Sequence, residues 1–171
     1  TEFLDAGDAP VVVTLGTSAA SANSQVFDQA LAALDSLQER AVVLASNDAL
    51  AAHLTERAGP QHLVHPFIPL APLLGRSKAI VHSGAHGTNS LALLAGVPSV
   101  VVPCLYDQVA HGRRQQELGT GAWVRKDRDL TAAVAAVLDP ANRYFETAQA
   151  FSELISKEDG TARAITEIER I

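Results

Sequence analysis

The stretch from Ala79 to Gly121, AIVHSGAHGTNSLALLAGVPSVVVPCLYDQVAHGRRQQELGTG, leaves this chain few ways to fold. Ala79 to Val81 is a short apolar run fit for a buried strand. His82, Ser83, Gly84, Ala85, His86 and Gly87 follow, small or polar and able to bend, and Thr88 to Leu94 reads as a helix. A second strand, Ser99 to Val102, ends in Pro103, with Asp107-Gln108 in the loop after it and another helix beyond. A helix entered through glycines presents unpaired N–H groups and a partial positive charge, which suits an anion and most often a phosphate. Ligands of open α/β sheets bind outside the carboxyl ends of the strands. Two neighbouring strand ends thus carry a phosphate cradle and a carboxylate–amide pair able to hydrogen-bond a polyhydroxylated group.

The rest of the chain alternates in the same way. Val11 to Leu15 is a strand that stops at Gly16-Thr17-Ser18, and Asn23 to Gln38 has helical spacing with Asn23 or Ser24 as its cap. Ala41 to Ala45 is a strand, Asp48 to Arg57 a helix ended by Gly59-Pro60, and Leu63-Val64 a short third strand. His65-Pro66-Phe67-Ile68-Pro69 is an extended loop, since two prolines forbid helix there. Leu70 to Leu74, Leu130 to Leu138, Arg143 to Ser156 and Ala162 to Ile171 read as helices, the last two split by Gly160, and Ala122 to Val124 as a last strand. Thr1 to Ala9 has no period and reads as a linker. Strands alternating with helices predict one α/β domain over residues 1–171, a doubly wound parallel sheet of Rossmann-like type. The first turn holds one glycine, Gly16, and lacks the Gly-x-Gly-x-x-Gly fingerprint, which disfavours a dinucleotide dehydrogenase.

Composition narrows the partners. A net charge of −6 argues against nucleic acid, whose phosphates need a basic face. The single cysteine, Cys104, excludes an internal disulfide and fits a reducing, cytoplasmic compartment. No apolar run approaches the ~20 residues of a membrane span, and the acidic start (Glu2, Asp5, Asp8) is unlike a signal peptide. His82 and His86 lack the clustered cysteine or carboxylate ligands of a zinc site, so no metal is expected. Cys104 reads as packing rather than nucleophile, and Arg113-Arg114 as a solvated helix face.

HSGAHGT, then AGVPSVVVP, then DQ, then ELGTG resembles the donor-binding motif of GT-B glycosyltransferases, a group that includes the glucuronosyl, sterol and antibiotic transferases. VVVTLGTSA and FIPLAPLL extend the resemblance over nearly the whole chain. It implies that this chain is the C-terminal, donor-binding half of an inverting transferase acting on a small-molecule hydroxyl. The acceptor-binding domain and its catalytic base would lie in a missing N-terminal half, so no residue here is assigned as catalytic and no cofactor is required. Gly16, Thr17, Ser18, His82, Gly84, Ala85, His86, Gly87 and Thr88 match positions that contact the diphosphate. Phe67 and Ile68 match positions that meet the base, and Asp107 and Gln108 the pair that holds the donor sugar. Asp107 also qualifies as an ordinary helix cap, and Phe67 as a core residue.

The chain departs from the pattern where many members that use UDP-sugars carry a ribose-gripping Gln and Glu. Leu70 and Ser90-Leu91 stand there, and His111 stands where an Asn often follows the Asp-Gln pair. A leucine cannot replace a carboxylate on a vicinal diol, which favours a dTDP-sugar over a UDP-sugar. Two other readings remain at this point: a sugar-nucleotide-binding module without its own catalysis, and a sugar-nucleotide epimerase.

Overall fold

The computed structural model describes residues 2–16, 23–125 and 129–170. In chain order the described elements are α1 (Glu2–Asp5), β1 (Val11–Thr14), α2 (Ser24–Ser36), β2 (Ala41–Leu44), α3 (Asp48–Arg57), β3 (His62–His65), α4 (Leu70–Leu74) and β4 (Ala79–His82). There follow α5 (His86–Ala95), β5 (Ser99–Val101), α6 (Gln108–Leu118), β6 (Gly121–Trp123), α7 (Leu130–Leu138), a 3-10 turn, α8 (Tyr144–Ile155) and α9 (Gly160–Glu169). The strands form one parallel sheet in the order β3-β2-β1-β4-β5-β6. The chain runs outward from β1 on one side and restarts beside it at β4, so a crevice opens at the carboxyl ends of β1 and β4.

Both faces of the sheet are covered, which is why its strands read as unbroken apolar runs. Alternate residues feed two cores. Val11, Val13, Val81 and Val100 pack with Phe27, Leu31 and Leu34 of α2, Leu50 and Leu54 of α3, and Val134 and Val137 of α7. Val12, Val42 and Ile80 pack with Leu73 and Leu74 of α4 and Ala92 of α5. Each fully buried side chain of this size contributes about 1.5–3 kcal/mol. Helix ends follow local chemistry. Asn47 accepts from Leu50 N at 2.9 Å to cap α3, and Asp129 accepts from Thr131 N at 2.8 Å to cap α7. Gly96 and Gly119 end α5 and α6 with φ of +66° and +71°. Asn23 holds the N-cap position of α2 without a side-chain capping bond.

Three expectations are corrected. Residues 2–9 do not behave as a linker: Glu2–Asp5 is one helical turn, with Arg40 4.2 Å above the Phe3 ring and donating to Asp8 O at 2.6 Å, and with Arg76 on Asp5 at 2.6 Å. Gly160 does not split the last two helices; it begins α9, and Asp159 caps it by accepting from Ala162 N at 2.9 Å. Helix α5 starts at His86, so His86 and Gly87 belong to its first turn rather than to the loop.

Glycines test this packing. A Cβ at Gly121 would stand 2.4 Å from Ser99 O on the neighbouring strand and 2.7 Å from Gln115 Oε1, while one at Gly160 would meet nothing within 4 Å. Gly121→Ala should therefore cost about 3 kcal/mol, and Gly160→Ala should stabilise by up to about 1 kcal/mol. Urea unfolding of both variants measures the contrast.

Candidate functional site

The site begins where β4 passes into α5. His82 ends the strand with 0 % exposure. Ser83 Oγ donates to Leu15 O at 2.9 Å and ties the turn to the end of β1. Gly84 has φ of +88°, and a Cβ there would lie 2.7 Å from Val101 Cγ1 and 3.1 Å from Gln108 O, so only glycine fits. Its N–H donates to His82 Nδ1 at 3.0 Å, and its carbonyl accepts from His111 Nδ1 at 2.7 Å. Ala85 is the N-cap residue of α5 and makes no side-chain cap. Asn89 N already donates to Ala85 O at 2.9 Å. The amides of His86, Gly87 and Thr88 precede it and have no carbonyl one turn earlier to bond. The first turn of α5 holds no acidic residue, so its positive end is not neutralised from within. A Cβ at Gly87 would meet nothing within 4 Å. Packing does not demand that glycine, and its effect is to leave the amides uncovered.

The next strand end supplies the carboxylate. Asp107 sits at the N-cap of α6 but makes no capping bond, and its side chain is 68 % exposed. The cap reading of Asp107 is thus set aside, and the carboxylate faces outward. Gln108 is buried, and its Oε1 accepts from Cys104 N and Leu105 N, both at 2.8 Å. Its oxygen is consumed in holding the turn, so of the two roles expected for this amide only donation by its NH2 group is left. Tyr106, inside the clamped turn, has φ of +35°, a strained value for a bulky residue.

The remaining expected residues fall along the same sheet edge. Gly16 follows β1 with φ of +74° and open space beside it; Thr17 and Ser18 lie outside the described residues. Thr14 pairs with His82 across β1 and β4, so Gly16, the Gly84–Thr88 bend and Asp107-Gln108 cap three consecutive strands. Phe67 and Ile68 follow β3, three strand spacings from β4, or about 14 Å. Phe67 is 73 % exposed and is therefore not a core residue, while Ile68 packs partly against the Ile80 cluster. Cys104 is half-buried and burial raises its thiol pKa, which suits packing rather than nucleophilic work. Arg114 faces Glu117 at 3.4 Å and Arg113 lies over Trp123, both on the outer side of α6. A cavity of about 380 Å³ between α2, Val102 and Leu130 includes none of the expected contacts.

His111 carries no role in the sequence reading, yet it joins the two loops. One nitrogen holds Gly84, the other is 3.8 Å from Asp107 Oδ2, and its ring lies 5.8 Å from that of His86. Its spacing, four residues after Asp107 on one helix, is the signal that places both on one face.

His82 is held neutral. Burial first, and then the nearby His111, lower its pKa from 6.5 to about 4. Its Nδ1 accepts from Gly84, so the ring proton sits on Nε2, which is buried and has no partner among the described residues. Between these two pKa values the unfolded chain binds a proton that the folded chain excludes. Stability is then complete above pH 6.5 and lost as the pH falls toward 4, by about 3 kcal/mol. Unfolding of the wild type and of His82→Gln across that range measures it: the variant should lose the steep acid dependence, and an unchanged slope would refute the assignment.

A family model described as "Erythromycin biosynthesis protein CIII-like, C-terminal domain" matches residues 24–163. The chain is 30 % identical over 176 residues to the O-mycaminosyltylonolide 6-deoxyallosyltransferase of Streptomyces fradiae, covering 98 % of this chain and 39 % of that enzyme. The solved glycotransferase of kitacinnamycin superposes with a TM-score of 0.82 at 26 % identity, over 95 % of this chain and 43 % of that one. A spinosyn rhamnosyltransferase solved with thymidine diphosphate shares the fold, with a TM-score of 0.83 at 20 % identity over 95 % of this chain and 45 % of its own. The chain thus spans less than half the length of these relatives. The sheet order, the glycine bend over α5 and the match across residues 24–163 converge on one conclusion: the chain belongs to the erythromycin biosynthesis protein CIII-like C-terminal domain family and has the fold of the C-terminal half of a GT-B glycosyltransferase.

Proposed function

We propose that this chain holds the sugar–nucleotide donor of an inverting glycosyltransferase that attaches a hexose to a hydroxyl of a small-molecule acceptor. The observation that carries this reading is the juxtaposition of uncovered amides at His86, Gly87 and Thr88 with the outward carboxylate of Asp107. A diphosphate would lodge on those amides, with Gly16 at the end of the neighbouring strand β1. His82 Nε2–H, at the strand end that leads into the bend, is a donor with no partner among the described residues. The attached hexose would give hydroxyl protons to Asp107 and accept from the Gln108 amide. The exposed ring of Phe67 would stack on the base, with the Ile68 backbone at its edge.

The donor we infer is a thymidine diphosphate sugar rather than a UDP-sugar. Leu70 and Leu91 both pack into the Ile80 cluster, and Ser90, next to Leu91 in the chain, brings no carboxylate for a ribose diol. The spinosyn enzyme of the same fold was solved with thymidine diphosphate. In the reaction, the acceptor hydroxyl would displace the diphosphate directly at the anomeric carbon. The base that takes its proton would come from an N-terminal acceptor-binding domain outside this chain. This chain's share is to stabilise charge developing on the leaving diphosphate through the α5 amides, which need no metal or cofactor for that task. By itself the chain would bind donor and transfer little or no sugar.

Calorimetric titration is the direct test. Thymidine diphosphate should bind more tightly than UDP; clearly tighter UDP binding would overturn the donor assignment. Above about pH 8, Asp107→Asn should weaken binding of a TDP-hexose about tenfold or more, the worth of a charged hydrogen bond, and leave the affinity for thymidine diphosphate itself unchanged. Equal losses for both ligands would remove Asp107 from the sugar.

A further inference from the structure

His111 is placed to do more than hold a loop. To donate to Gly84 O at 2.7 Å its Nδ1 must carry a proton, which leaves Nε2 as a bare lone pair in the neutral ring. That Nε2 lies 3.8 Å from Asp107 Oδ2, and the ring lies 5.8 Å from His86, the first residue of α5. The side chain is 26 % exposed, so solvent reaches it but screens it incompletely. Among the described residues, the charged or titratable groups facing it are Asp107 on its own helix, His86 on α5 and His82 at the end of β4. Of these, His82 stays neutral through burial. A diphosphate on the amides of His86–Thr88 adds negative charge on the same side of Gly84. Negative charge brought close to an imidazole favours its protonated form, and by linkage the protonated form favours the ligand.

We propose that His111 is a proton-linked positioning residue, which takes up a proton from solvent as a nucleoside diphosphate binds and so draws the phosphate bend and the Asp107 loop together. The inference rests on the donor-binding function proposed above. Protonating Nε2 breaks no bond in the network: Nδ1–H keeps its bond to Gly84, and the new N–H is directed to the carboxylate or the phosphate. The neutral substitute is His111→Gln, whose amide can still donate to Gly84 O but cannot take up a proton.

The test is titration of this chain with thymidine diphosphate in buffers of different ionisation enthalpy, from slightly acidic to slightly basic pH. The wild type should take up a fraction of a proton on binding. His111→Gln and His111→Asn should lose most of that uptake, and His111→Gln should melt at the wild-type temperature. The wild type should bind about tenfold more tightly than His111→Gln near pH 6, as expected for one charge-assisted hydrogen bond, with the advantage fading above about pH 8. The ligand's own phosphate titration is common to all variants and cancels in this comparison. Nucleotide binding without proton uptake, or uptake that survives in His111→Gln, would overturn this inference alone. Absence of any nucleotide binding by the folded wild type would overturn it together with the function on which it rests. Should both His111 variants fail to fold, ring NMR titration of the wild type decides: a His111 signal whose midpoint does not rise when nucleotide is added refutes the proposal.

Discussion

Gly84 is gripped from both sides by imidazoles. Its N–H is taken by His82 and its carbonyl by His111, at 3.0 and 2.7 Å. Its backbone has φ of +88°, and Val101 and the Gln108 backbone occupy the space a side chain would need. Through this one residue β4, β5 and α6 are locked together, and Ser83 adds β1 by its bond to Leu15 O. The consequence is positional. Helix α5 starts at the sheet edge because Gly84, two residues before His86, is fixed there by groups of β4, β5 and α6. The conformational restriction that this bend imposes is met by groups from several elements, so it is rigid before any ligand arrives.

The sheet explains why the bend lies where a ligand can reach it. Two apolar cores cover the faces of the sheet, and the loops at its carboxyl edge are left to do chemistry. The order β3-β2-β1-β4-β5-β6 brings the turns after β1, β4 and β5 side by side although they lie roughly seventy to ninety residues apart in the chain at the extremes. The loop after β3, which carries Phe67 and Ile68, sits at the other end of the same edge. At the far terminus the balance is different. Helix α9 buries no residue and exposes Ile165 and Ile168, and α8 exposes Phe145 and Leu154. An element without buried side chains draws little stability from the core.

Most of the fold was legible in the sequence, because a strand buried on both faces must be apolar at every position and a covering helix must be apolar on one side. Where local rules compete with distant contacts the reading failed. One turn of helix at Glu2–Asp5 has no periodicity to betray it and is held by Arg40 and Arg76, far along the chain. Gly160 has the composition of a breaker, but the capping side chain of Asp159 starts a helix through it. In the site, the glycine bend, the exposed Asp107 and the exposed Phe67 lie on the edge that motif order implied. The burial of His82 and the engagement of Gln108's oxygen did not show, since each depends on a partner that spacing alone does not specify.

Residue type and local spacing were enough, by themselves, to determine an α/β sheet with a glycine-entered helix after its fourth strand and an acid–amide pair after its fifth. They were enough because strand burial, helix dipoles and turn chemistry act over a few residues. Which nitrogen of His82 carries a proton, which atoms of Gln108 remain free, and that His111 spans the gap between Gly84 and Asp107 were decided only by the tertiary structure. Hydrogen bonds and desolvation are set by what comes close in space, and no local pattern records which strand end will become a neighbour.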